Sequence, residues 1–579
     1  MDIENFRHTG AHLLAAAVKS IWPNVRLGTS HDNGTEFAYD FDFGGLTIKN
    51  EDFGKIEAEM ARILKLKPKM ERIEKTRLEA RKILEKGKEV YKIELLNELA
   101  KGATITFYKL DNFWDLCAGP HIEDVGKIKA FKLTKITGAY WRADAKNKML
   151  TRIYGVVFEK QSELDEFNRQ QEEIKRRDHN KLGRELGFFT TVDCVGQGLP
   201  LILPNGAKTI QTLQRFIEDE EERRGYMRVI TPDMAKSDLF KISGHWQHYK
   251  DGMFIIGNEV LDEEVLAMRP MTCPFQYFIY KNSIKSYRDL PVRYAETARQ
   301  FRRENSGEMH GLIRVREYTL SDGHIICRAD QIQMVIDECL DLTNYSLKVL
   351  GLSDNVTYRL SKWDPKNKEK YIDNPKAWES TQDEIRKALV RNKLKFVEAD
   401  NEAAFYGPKI DIQIRNIYGK EDTLLTVQLD FAAAERFDMT YIDENGEKAR
   451  PFVIHRASIG AYERVLAMLI ERYAGALPVW FSPVQAVIMG ITDAQAEHIH
   501  QIHAKMVAAG VRVQKDLRNE KVGYKIREHT MNKVPYMVVV GAKEQEAGVV
   551  SVRTRESLDL GQMTVDEFIN LVKSGYPTR

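Results

Sequence analysis

The spacing of apolar residues predicts a mixture of helices and strands in the first 155 residues. Between residues 5 and 22, apolar side chains recur every three to four positions, which predicts an amphipathic helix. Residues 36–43 alternate between apolar and polar and predict a strand, whereas residues 55–66 return to a helical period. Residues 159–186 are highly charged and contain no proline, which predicts a solvated connecting helix.

From residue 188 to about residue 474, short strand-like stretches alternate with turns and long helices. These stretches cover residues 227–231, 292–297, 311–320, 423–431 and 452–454. Strands that follow one another without the spacing of βαβ units predict an antiparallel sheet. The sequence contains neither GxxxxGK[ST] nor a GxGxxG that opens a helix, so the two common nucleotide-binding loops are excluded.

From about residue 477, strands and helices alternate more regularly. Strand patterns lie at residues 484–491, 511–513, 536–540 and 548–554, and helical patterns lie at residues 494–509 and 522–532. This order predicts an α/β domain of about 100 residues. We therefore expect a multidomain α/β and α+β protein with an N-terminal domain (1–158), a connecting helix (159–187), a central domain (188–476) and a C-terminal domain (477–579).

The composition is that of a globular protein, with 579 residues, 43% of them apolar and 30% charged. No apolar run reaches the roughly 18 residues of a bilayer span, and the first ten residues lack the basic and apolar segments of a secretory signal. Five scattered cysteines fit a reducing compartment. We expect a cytoplasmic protein that does not associate with membranes. Because 87 basic and 85 acidic residues nearly cancel, any contact with nucleic acid must come from local patches.

Three potential metal ligands are far apart in the central domain. Cys273 lies in MRPMTCP, His324 in TLSDGHIIC and His455 in VIHRASIG. Zinc fingers take their ligands from closely spaced pairs, so these gaps exclude one, but three ligands from separate elements suit a zinc site with an open position. From spacing alone, an ordinary packing role for the three side chains remains the alternative.

Arginines cluster in the same domain. RQFRRENSGEMHGLIRVREYTL predicts a strand, a loop and a second strand, with Arg302, Arg303 and Glu304 before the loop and Arg314 and Arg316 after it. IGAYERVLAMLIERY predicts a helix that opens on Gly460 and carries Arg464 in its second turn. Arginines on rigid elements can hold phosphates through two hydrogen bonds or stack on a purine. A solvated hairpin is the alternative interpretation.

A third group of potential ligands lies near the N-terminus. His8 and His12 are four residues apart and therefore share one face of the first helix. Cys117 and His121 repeat this spacing in a predicted loop about a hundred residues later. Spacing alone allows a zinc site with one cysteine and three histidines, or two histidines at the start of a helix and an unrelated turn.

These segments together resemble the class II aminoacyl-tRNA synthetases. RRGYMRVITPDM (223–234) is similar to their motif 1, FRRENSGEMHGLIRVREYT to motif 2 and GAYER to motif 3. MTCP, SDGHIIC, FYGPKID, TVQLDF and IHRA resemble the threonyl-tRNA synthetases in particular. The resemblance covers essentially the whole chain. It implies an antiparallel-sheet catalytic core, an α+β N-terminal editing domain and an α/β C-terminal anticodon-binding domain. Members usually begin with a small ubiquitin-like domain, which we expect to be absent here.

The resemblance implies roles for the central side chains. It makes Cys273, His324 and His455 the ligands of one catalytic-domain Zn²⁺ per subunit, and it implies Mg²⁺ with ATP. The implied ATP-binding residues are Arg303, on the α-phosphate, Glu304, Arg314, Gln428 and Arg464. The implied threonine-binding residues are Asp322, Tyr406 and Met271. The implied catalytic residues are Arg303, Arg464, Lys409 and His245, the last assisting transfer to the tRNA hydroxyl unless it is only a stacked surface histidine. Leu320 and Ala461 replace the glutamine and serine of many members.

The N-terminal group is implied to form a metal-free pocket that hydrolyses mischarged seryl-tRNA. Its implied residues are His8, His12, Lys92, Asp115, Cys117 and His121. In the C-terminal domain, basic residues outnumber acidic ones two to one between residues 512 and 555. An exposed helix with paired charges would explain that excess. The resemblance instead implies the anticodon-binding residues Asn519, Arg527, Glu544 and Arg553, whose side chains suit base edges.

The predicted function is therefore a threonine–tRNA ligase that activates L-threonine with ATP, charges tRNA(Thr) and edits seryl-tRNA(Thr). Because motif 1 builds a dimer interface in the family, we expect a homodimer. One alternative is a class II synthetase for another small amino acid, such as serine or proline. The other is a non-catalytic paralogue that binds tRNA-like RNA, which would have lost an arginine or a zinc ligand.

Overall fold

The N-terminal compact unit, Met1–Glu173, is an α+β domain. The computed structural model describes residues 3–577 of the chain. The elements of this unit are α1 (Ile3–Ile21), β1 (Arg26–Asp32), β2 (Phe37–Asp42), α2 (Phe53–Lys65), β3 (Met70–Lys75), α3 (Arg77–Lys86), α4 (Val90–Glu98), β4 (Ile105–Leu110), β5 (Phe113–Leu116), β6 (Ala130–Tyr140) and β7 (Met149–Phe158). The predicted helices at 5–22 and 55–66 and the predicted strand at 36–43 are confirmed.

Helix α1 forms the core of this unit because its apolar stripe packs on a four-stranded sheet. The strand order of that sheet is β1-β2-β7-β6. Leu13 and Leu14 of α1 are fully buried together with Phe37 and Ile153 of the sheet. A second sheet has the strand order β3-β4-β5, and Cys117 directly follows β5. The helix face that carries His8 and His12 is thereby fixed relative to the end of β5.

The predicted single connecting helix is two helices. Helix α5 (Gln161–Arg177) contains the boundary between the two compact units, and α6 (His179–Glu185) follows after one residue. That residue, Asp178, ends the first helix and caps the second, because its carboxylate accepts a hydrogen bond from the Asn180 amide at 2.7 Å. The predicted domain boundaries at residues 158, 187 and 476 stay predictions, since the second unit, Ile174–Arg579, is continuous.

The central part of the second unit is built around one large antiparallel sheet. After α6 its elements are β8 (Phe189–Thr190), β9 (Leu201–Ile202), α7 (Pro204–Arg223), β10 (Met227–Arg228), β11 (Met234–Lys236), α8 (Ser237–Ser243), α9 (His245–His248), β12 (Ile255–Ile256), β13 (Leu266–Met268), α10 (Cys273–Lys281), β14 (Val292–Phe301), β15 (Glu317–Cys327), α11 (Ile332–Leu350), β16 (Val356–Ser361), α12 (Pro375–Arg391), β17 (Phe396–Ala399), β18 (Lys409–Arg415), β19 (Glu421–Asp430), α13 (Ala433–Arg436), β20 (Tyr441–Ile442), β21 (Lys448–Ala449), β22 (Phe452–Ala461) and α14 (Tyr462–Tyr473).

Eight of these strands form the sheet, in the order β10-β14-β15-β22-β19-β18-β16-β17. The pairs between β14 and β16 in that order are antiparallel, as predicted, and the outermost strands β10 and β17 pair in parallel with their neighbours. Helices α11 and α14 supply fully buried leucines and valines to the core on the sheet. The sheet is therefore a rigid platform for side chains on its other face.

Several predicted strand ends in this sheet are wrong, among them those at residues 311 and 454. The strand predicted from residue 311 begins only at Glu317, so Arg314 lies in the preceding loop. The strand predicted to end at residue 454 continues to Ala461, and the helix predicted from Gly460 begins at Tyr462. In both cases a glycine with positive φ, Gly311 at 49° and Gly460 at 87°, changes the direction of the chain where a pattern of apolar residues gave no signal.

The C-terminal part is an α/β domain, as predicted. Its elements are β23 (Ala486–Gly490), α15 (Ala496–Ala508), β24 (Val513–Asp516), α16 (Val522–Met531), β25 (Tyr536–Val540), α17 (Ala542–Ala547), β26 (Val550–Thr554), β27 (Asp559–Met563) and α18 (Val565–Ser574). The strand order is β24-β23-β25-β26-β27, with the first three strands parallel. Within residues 3–577, no helix is long and apolar enough to cross a membrane.

A buried ion pair joins helix α7 to the central strand β22. Arg456 donates to the Glu221 carboxylate at 2.8 Å, and both side chains are buried. The guanidinium of Arg456 lies so close to Gly323 of β15 that a Cβ there would meet it at 2.5 Å. The pair therefore supports the segment of β15 between Asp322 and His324.

We expect Glu221→Ala to lower the free energy of unfolding by about 3–5 kcal/mol, because it leaves the buried Arg456 charge unpaired. Thermal unfolding measures this effect, with Glu222→Ala as the control, since Glu222 is exposed on the same helix. Equal melting temperatures for the two variants would contradict a supporting role for the pair.

Candidate active site

The three potential zinc ligands of the central domain converge. Their ligand atoms lie within 4.8 Å of one another, and all three side chains are buried. Cys273 is the first residue of α10, whereas His324 and His455 are directly opposite each other on the antiparallel strands β15 and β22. Side chains of directly opposite residues lie on the same face of a sheet. Strand register thus brings together two ligands that are 131 residues apart in the sequence.

Neighbouring side chains hold both histidines in place. The side-chain carbonyl of Gln276 accepts a hydrogen bond from Nδ1 of His324 at 2.8 Å, so Nε2 is the nitrogen of that ring that can bind a metal. The Asp430 carboxylate lies 3.0 Å from Nε2 of His455, which leaves Nδ1 free. Second partners of this kind fix the ring orientation of metal-binding histidines. A cysteine, two oriented histidines and a neighbouring open cavity fit a three-ligand zinc site.

The site forms one end of a cavity of about 480 Å³. The side chains that line it alternate along the chain. Gln300 lies at the end of β14 and Arg302 and Glu304 come just after it, whereas Tyr318, Leu320, Asp322 and His324 lie along β15. Alternate residues of an extended chain point to the same side. The cavity is therefore built mainly from one face of the sheet, and Leu320 and Ala461 are both in its lining.

The arginine of motif 2 that faces the cavity is not the predicted one. Arg302 lines the cavity, whereas Arg303 is exposed and lies outside the lining. Because side chains alternate, Arg303 and Glu304 could not both face the cavity. Among the described residues, the buried Nε of Arg302 has no hydrogen-bond partner. The Arg302 guanidinium lies between the rings of Tyr249 and Tyr318, 6.0 and 5.5 Å from their centres, and is thus held in place with a free donor.

The other predicted ATP-binding residues line the same cavity. Arg464 donates to the backbone oxygens of Ile313 at 2.9 Å and Thr423 at 2.7 Å, and burial lowers its pKa. Arg314 and Glu304 form an ion pair at 2.7 Å across the base of the loop. The side chains of Arg302, Arg314 and Arg464 therefore all line the cavity.

The predicted threonine-binding residues Asp322, Tyr406 and Met271 also line the cavity, at the end near the potential zinc ligands. The Tyr406 hydroxyl donates to Gln428 at 2.6 Å, and the Tyr406 ring stacks on His455. Burial raises the pKa of Asp322, whose carboxylate accepts hydrogen bonds from Thr272 and Gln300. These contacts place hydroxyl, amide and carboxyl groups around the ligand atoms.

Lys409 is not in the lining of this cavity. It is directly opposite Gln428 in the sheet, but its ammonium group pairs with the buried Asp411 carboxylate at 2.9 Å. His245 does line the cavity, where its Nδ1 lies 2.8 Å from the Ser243 hydroxyl. Burial lowers the pKa of His245 to about 3, so its imidazole is neutral at physiological pH. His245 thus lies in the cavity and Lys409 does not.

The N-terminal group also converges. The ligand atoms of His8, His12, Cys117 and His121 lie within 4.8 Å of one another. The Cys117 sulfur lies 3.3 Å from Nε2 of His8 and 3.5 Å from Nε2 of His121. Burial raises the pKa of Cys117 to about 11 and lowers the pKa of His121 to about 2. At neutral pH the group is therefore a thiol surrounded by neutral imidazoles.

A buried ion pair lies behind this group. The Lys92 ammonium is 2.7 Å from the Asp115 carboxylate, which also accepts a hydrogen bond from the Tyr39 hydroxyl at 2.5 Å. Nε2 of His12 lies 3.5 Å from the same carboxylate. Among the described residues, the buried Nδ1 of His12 has no hydrogen-bond partner. Tyr39 is far from the other residues along the chain, and no local pattern in the sequence indicates its place in this group.

The predicted anticodon-binding residues do not share one cavity. Asn519 lines a cavity of about 200 Å³ beside the carboxyl ends of β23 and β24, together with Arg518 and Lys525. Arg527 and Arg553 are exposed. Glu544 is half-buried and caps α17 by accepting a hydrogen bond from the Gly541 amide at 3.0 Å. Only Asn519 of the four therefore lies in this cavity.

Family models match all three regions. The tRNA synthetase class II core domain (G, H, P, S and T) matches residues 258–473, an anticodon binding domain matches residues 485–575, and the threonyl and alanyl tRNA synthetase second additional domain matches residues 105–154. Among solved structures, the RNA binding domain of threonyl-tRNA synthetase from Cryptosporidium parvum Iowa II is 33% identical, with a TM-score of 0.65, over 69% of this chain and 99% of that one.

Curated relatives extend over almost the whole chain. The threonine–tRNA ligase from Clostridium perfringens (strain SM101 / Type A) is 56% identical over 98% of this chain and 88% of its own length. The one from Clostridium botulinum (strain Alaska E43 / Type E3) is also 56% identical, over 97% of this chain and 87% of its own length. The enzyme from Halalkalibacterium halodurans is 45% identical over 98% of this chain and 88% of its own length. With the class II core and the editing domain both present, this chain belongs to the threonine–tRNA ligase family of the class II aminoacyl-tRNA synthetases.

Proposed function

We propose that the central cavity joins threonine to ATP and then to tRNA(Thr), and that the N-terminal group removes serine joined by mistake. The observation that carries the first proposal is that Arg302 lines one cavity together with the two oriented histidines and Cys273. Relatives 45–56% identical are threonine–tRNA ligases, which supports threonine over serine or proline as the substrate. Arg302, Arg314 and Arg464 line the cavity and all three potential ligands converge, which disfavours a non-catalytic paralogue.

Adenylate formation requires the threonine carboxylate to attack the α-phosphate of ATP, with pyrophosphate as the leaving group. We assign the α-phosphate to Arg302 in place of Arg303, since Arg302 lines the cavity and Arg303 does not. Arg464 and Arg314 line the same cavity and can bind the remaining phosphates and the adenine. Because a fixed guanidinium stabilises the charge that develops at phosphorus, these residues act mainly by position and charge, together with the Mg²⁺ that accompanies ATP.

Cys273, His324 and His455 would hold a zinc ion. That ion would act as a Lewis acid with open positions for the amino group and the hydroxyl of threonine. Valine lacks this hydroxyl. Asp322 and Tyr406 lie beside this position and can orient the substrate by hydrogen bonds. Serine also has the hydroxyl and lacks only one methyl group, which a pocket distinguishes by about 10–200-fold. The binding site therefore needs a second site that removes serine.

The neutral imidazoles of His8, His12 and His121 suit that second site. Nδ1 of His12 is a free and buried polar atom, and the Asp115 carboxylate beside Nε2 holds the ring. A neutral histidine in this setting can orient a water molecule for attack on the ester bond of seryl-tRNA. For transfer, His245 is neutral at physiological pH and can accept the hydrogen bond of the tRNA hydroxyl.

We infer a cytoplasmic homodimer that contacts its partner through the β10 edge of the sheet. Strand β10 is one of the two outermost strands, and Met227 in this strand and Ile230 just after it are 50% and 91% exposed. An exposed edge with apolar side chains favours pairing with a second chain. Asn519 in its small cavity is our candidate for contact with an anticodon base.

We expect Arg302→Ala to lower kcat/KM for threonine-dependent ATP–pyrophosphate exchange by about 10²–10³-fold, because it removes a fixed donor to the developing charge. Arg303→Ala is the matched control and should leave exchange within about twofold of the unaltered protein. Affinity for tRNA should be unchanged in both. Loss of exchange in the Arg303 variant with full activity in the Arg302 variant would reverse our assignment.

We expect the double variant His8→Ala, His12→Ala to charge threonine normally but to accumulate seryl-tRNA, since the threonine site alone separates the two amino acids by about 10–200-fold. Deacylation of seryl-tRNA measures this loss, and His31→Ala is the control because His31 bonds to Asp40 outside the group. A structural metal site predicts an unfolded N-terminal domain instead. Normal deacylation by a folded double variant would remove both histidines from editing.

A further inference from the structure

The loop that carries Arg314 is attached to helix α6, outside the cavity. Leu312, in that loop, is fully buried, and its amide donates a hydrogen bond to Nε2 of His179 at 3.4 Å. His179 itself is fully buried in α6. Its other ring nitrogen, Nδ1, lies 2.6 Å from the carboxylate of Glu471 in α14. One imidazole therefore joins the loop to a helix more than 150 residues away in the sequence.

These two contacts require one form of the histidine. Because the amide of Leu312 can only donate, Nε2 must accept, and the proton must be on Nδ1, where it is donated to Glu471. A neutral ring with its proton on Nδ1 satisfies both contacts. The histidine is thus an oriented link with a donor on one side and an acceptor on the other.

Helix α14 also binds the loop directly, at a second point. Arg464 and Glu471 are seven residues apart in α14 and therefore lie on the same face. Arg464 donates to the backbone oxygen of Ile313 at 2.9 Å, directly after the residue that bonds to His179. Two successive loop residues, Leu312 and Ile313, are bound to two side chains of α14, one directly and one through His179.

The close approach of Gly311 shows how tightly the loop is held against α6. A Cβ at Gly311 would meet Nε2 of His179 at 2.1 Å and the Asn180 side chain at 2.4 Å. The backbone of Gly311 also has a φ of 49°, which favours glycine. Both the space and the backbone conformation therefore require glycine beside the imidazole.

We propose that His179 is a positioning residue for ATP: it fixes the loop that carries Arg314 relative to the helix that carries Arg464. This inference rests on the proposed binding of ATP beside Arg302, Arg314 and Arg464. His179 does not line the cavity, so it acts through the loop and not on the substrate. Its loss should weaken the binding of ATP more than the binding of threonine.

The test compares His179→Asn with His179→Gln in ATP–pyrophosphate exchange. The asparagine amide can replace the Nδ1 donor to Glu471 but has no group that reaches Leu312, whereas the longer glutamine can present its oxygen to the Leu312 amide. We expect KM for ATP to rise about tenfold in the asparagine variant, with KM for threonine within about twofold, and to return to within about threefold in the glutamine variant. Deacylation of seryl-tRNA should be unchanged in both.

Two further variants keep the test decisive. Gly311→Ala changes the same contact from the loop and should also raise KM for ATP, so it decides the question if His179→Asn does not fold. His500→Asn, an exposed histidine that bonds to Lys515, is the control. An unchanged KM for ATP in folded Asn and Ala variants, or equal increases in KM for ATP and threonine, would overturn the proposal. Full exchange activity in Arg302→Ala would instead overturn the placement of ATP.

Discussion

The register between strands β15 and β22 is the constraint on which the active site depends. It places His324 directly opposite His455, and the same row of the sheet continues through Gln428 on β19 and Lys409 on β18. A shift of one residue would turn every side chain of a strand to the other face. The buried Arg456–Glu221 pair next to this row, and the absence of a side chain at Gly323, support that register.

The two chemical sites follow from one physical limit on recognition. A site that requires a hydroxyl group can reject valine, but one methyl group is too small a difference to reject serine strongly. The central cavity has oriented polar groups around Cys273, His324 and His455, which suit the first task. The N-terminal group combines neutral imidazoles with a buried carboxylate, which suits hydrolysis. Each site is built on side chains that packing or hydrogen bonds hold in one orientation.

Much of this could be predicted from the sequence, because periodic patterns and motifs are local. The helix at the N-terminus, the antiparallel central sheet and the C-terminal α/β domain follow from spacing. The choice of Arg303 failed because FRRE contains adjacent arginines, and only the alternation with Gln300 and Glu304 identifies Arg302 as the residue that faces the cavity. Lys409 is directed away from the cavity by its pairing with Asp411. The position of His179 is set by contacts with residues more than a hundred positions away, which no local pattern in the sequence indicates.

The zinc content of the purified protein tests whether Cys273, His324 and His455 form a metal site. We expect the purified protein to contain one zinc ion per chain, since a cysteine and two oriented histidines form one site. Cys273→Ser should lose this zinc together with threonine activation, whereas Cys117→Ser, in the other cysteine–histidine group, should retain both. Threonine activation by a protein without zinc, or zinc that is lost from the Cys117 variant and kept in the Cys273 variant, would contradict this account.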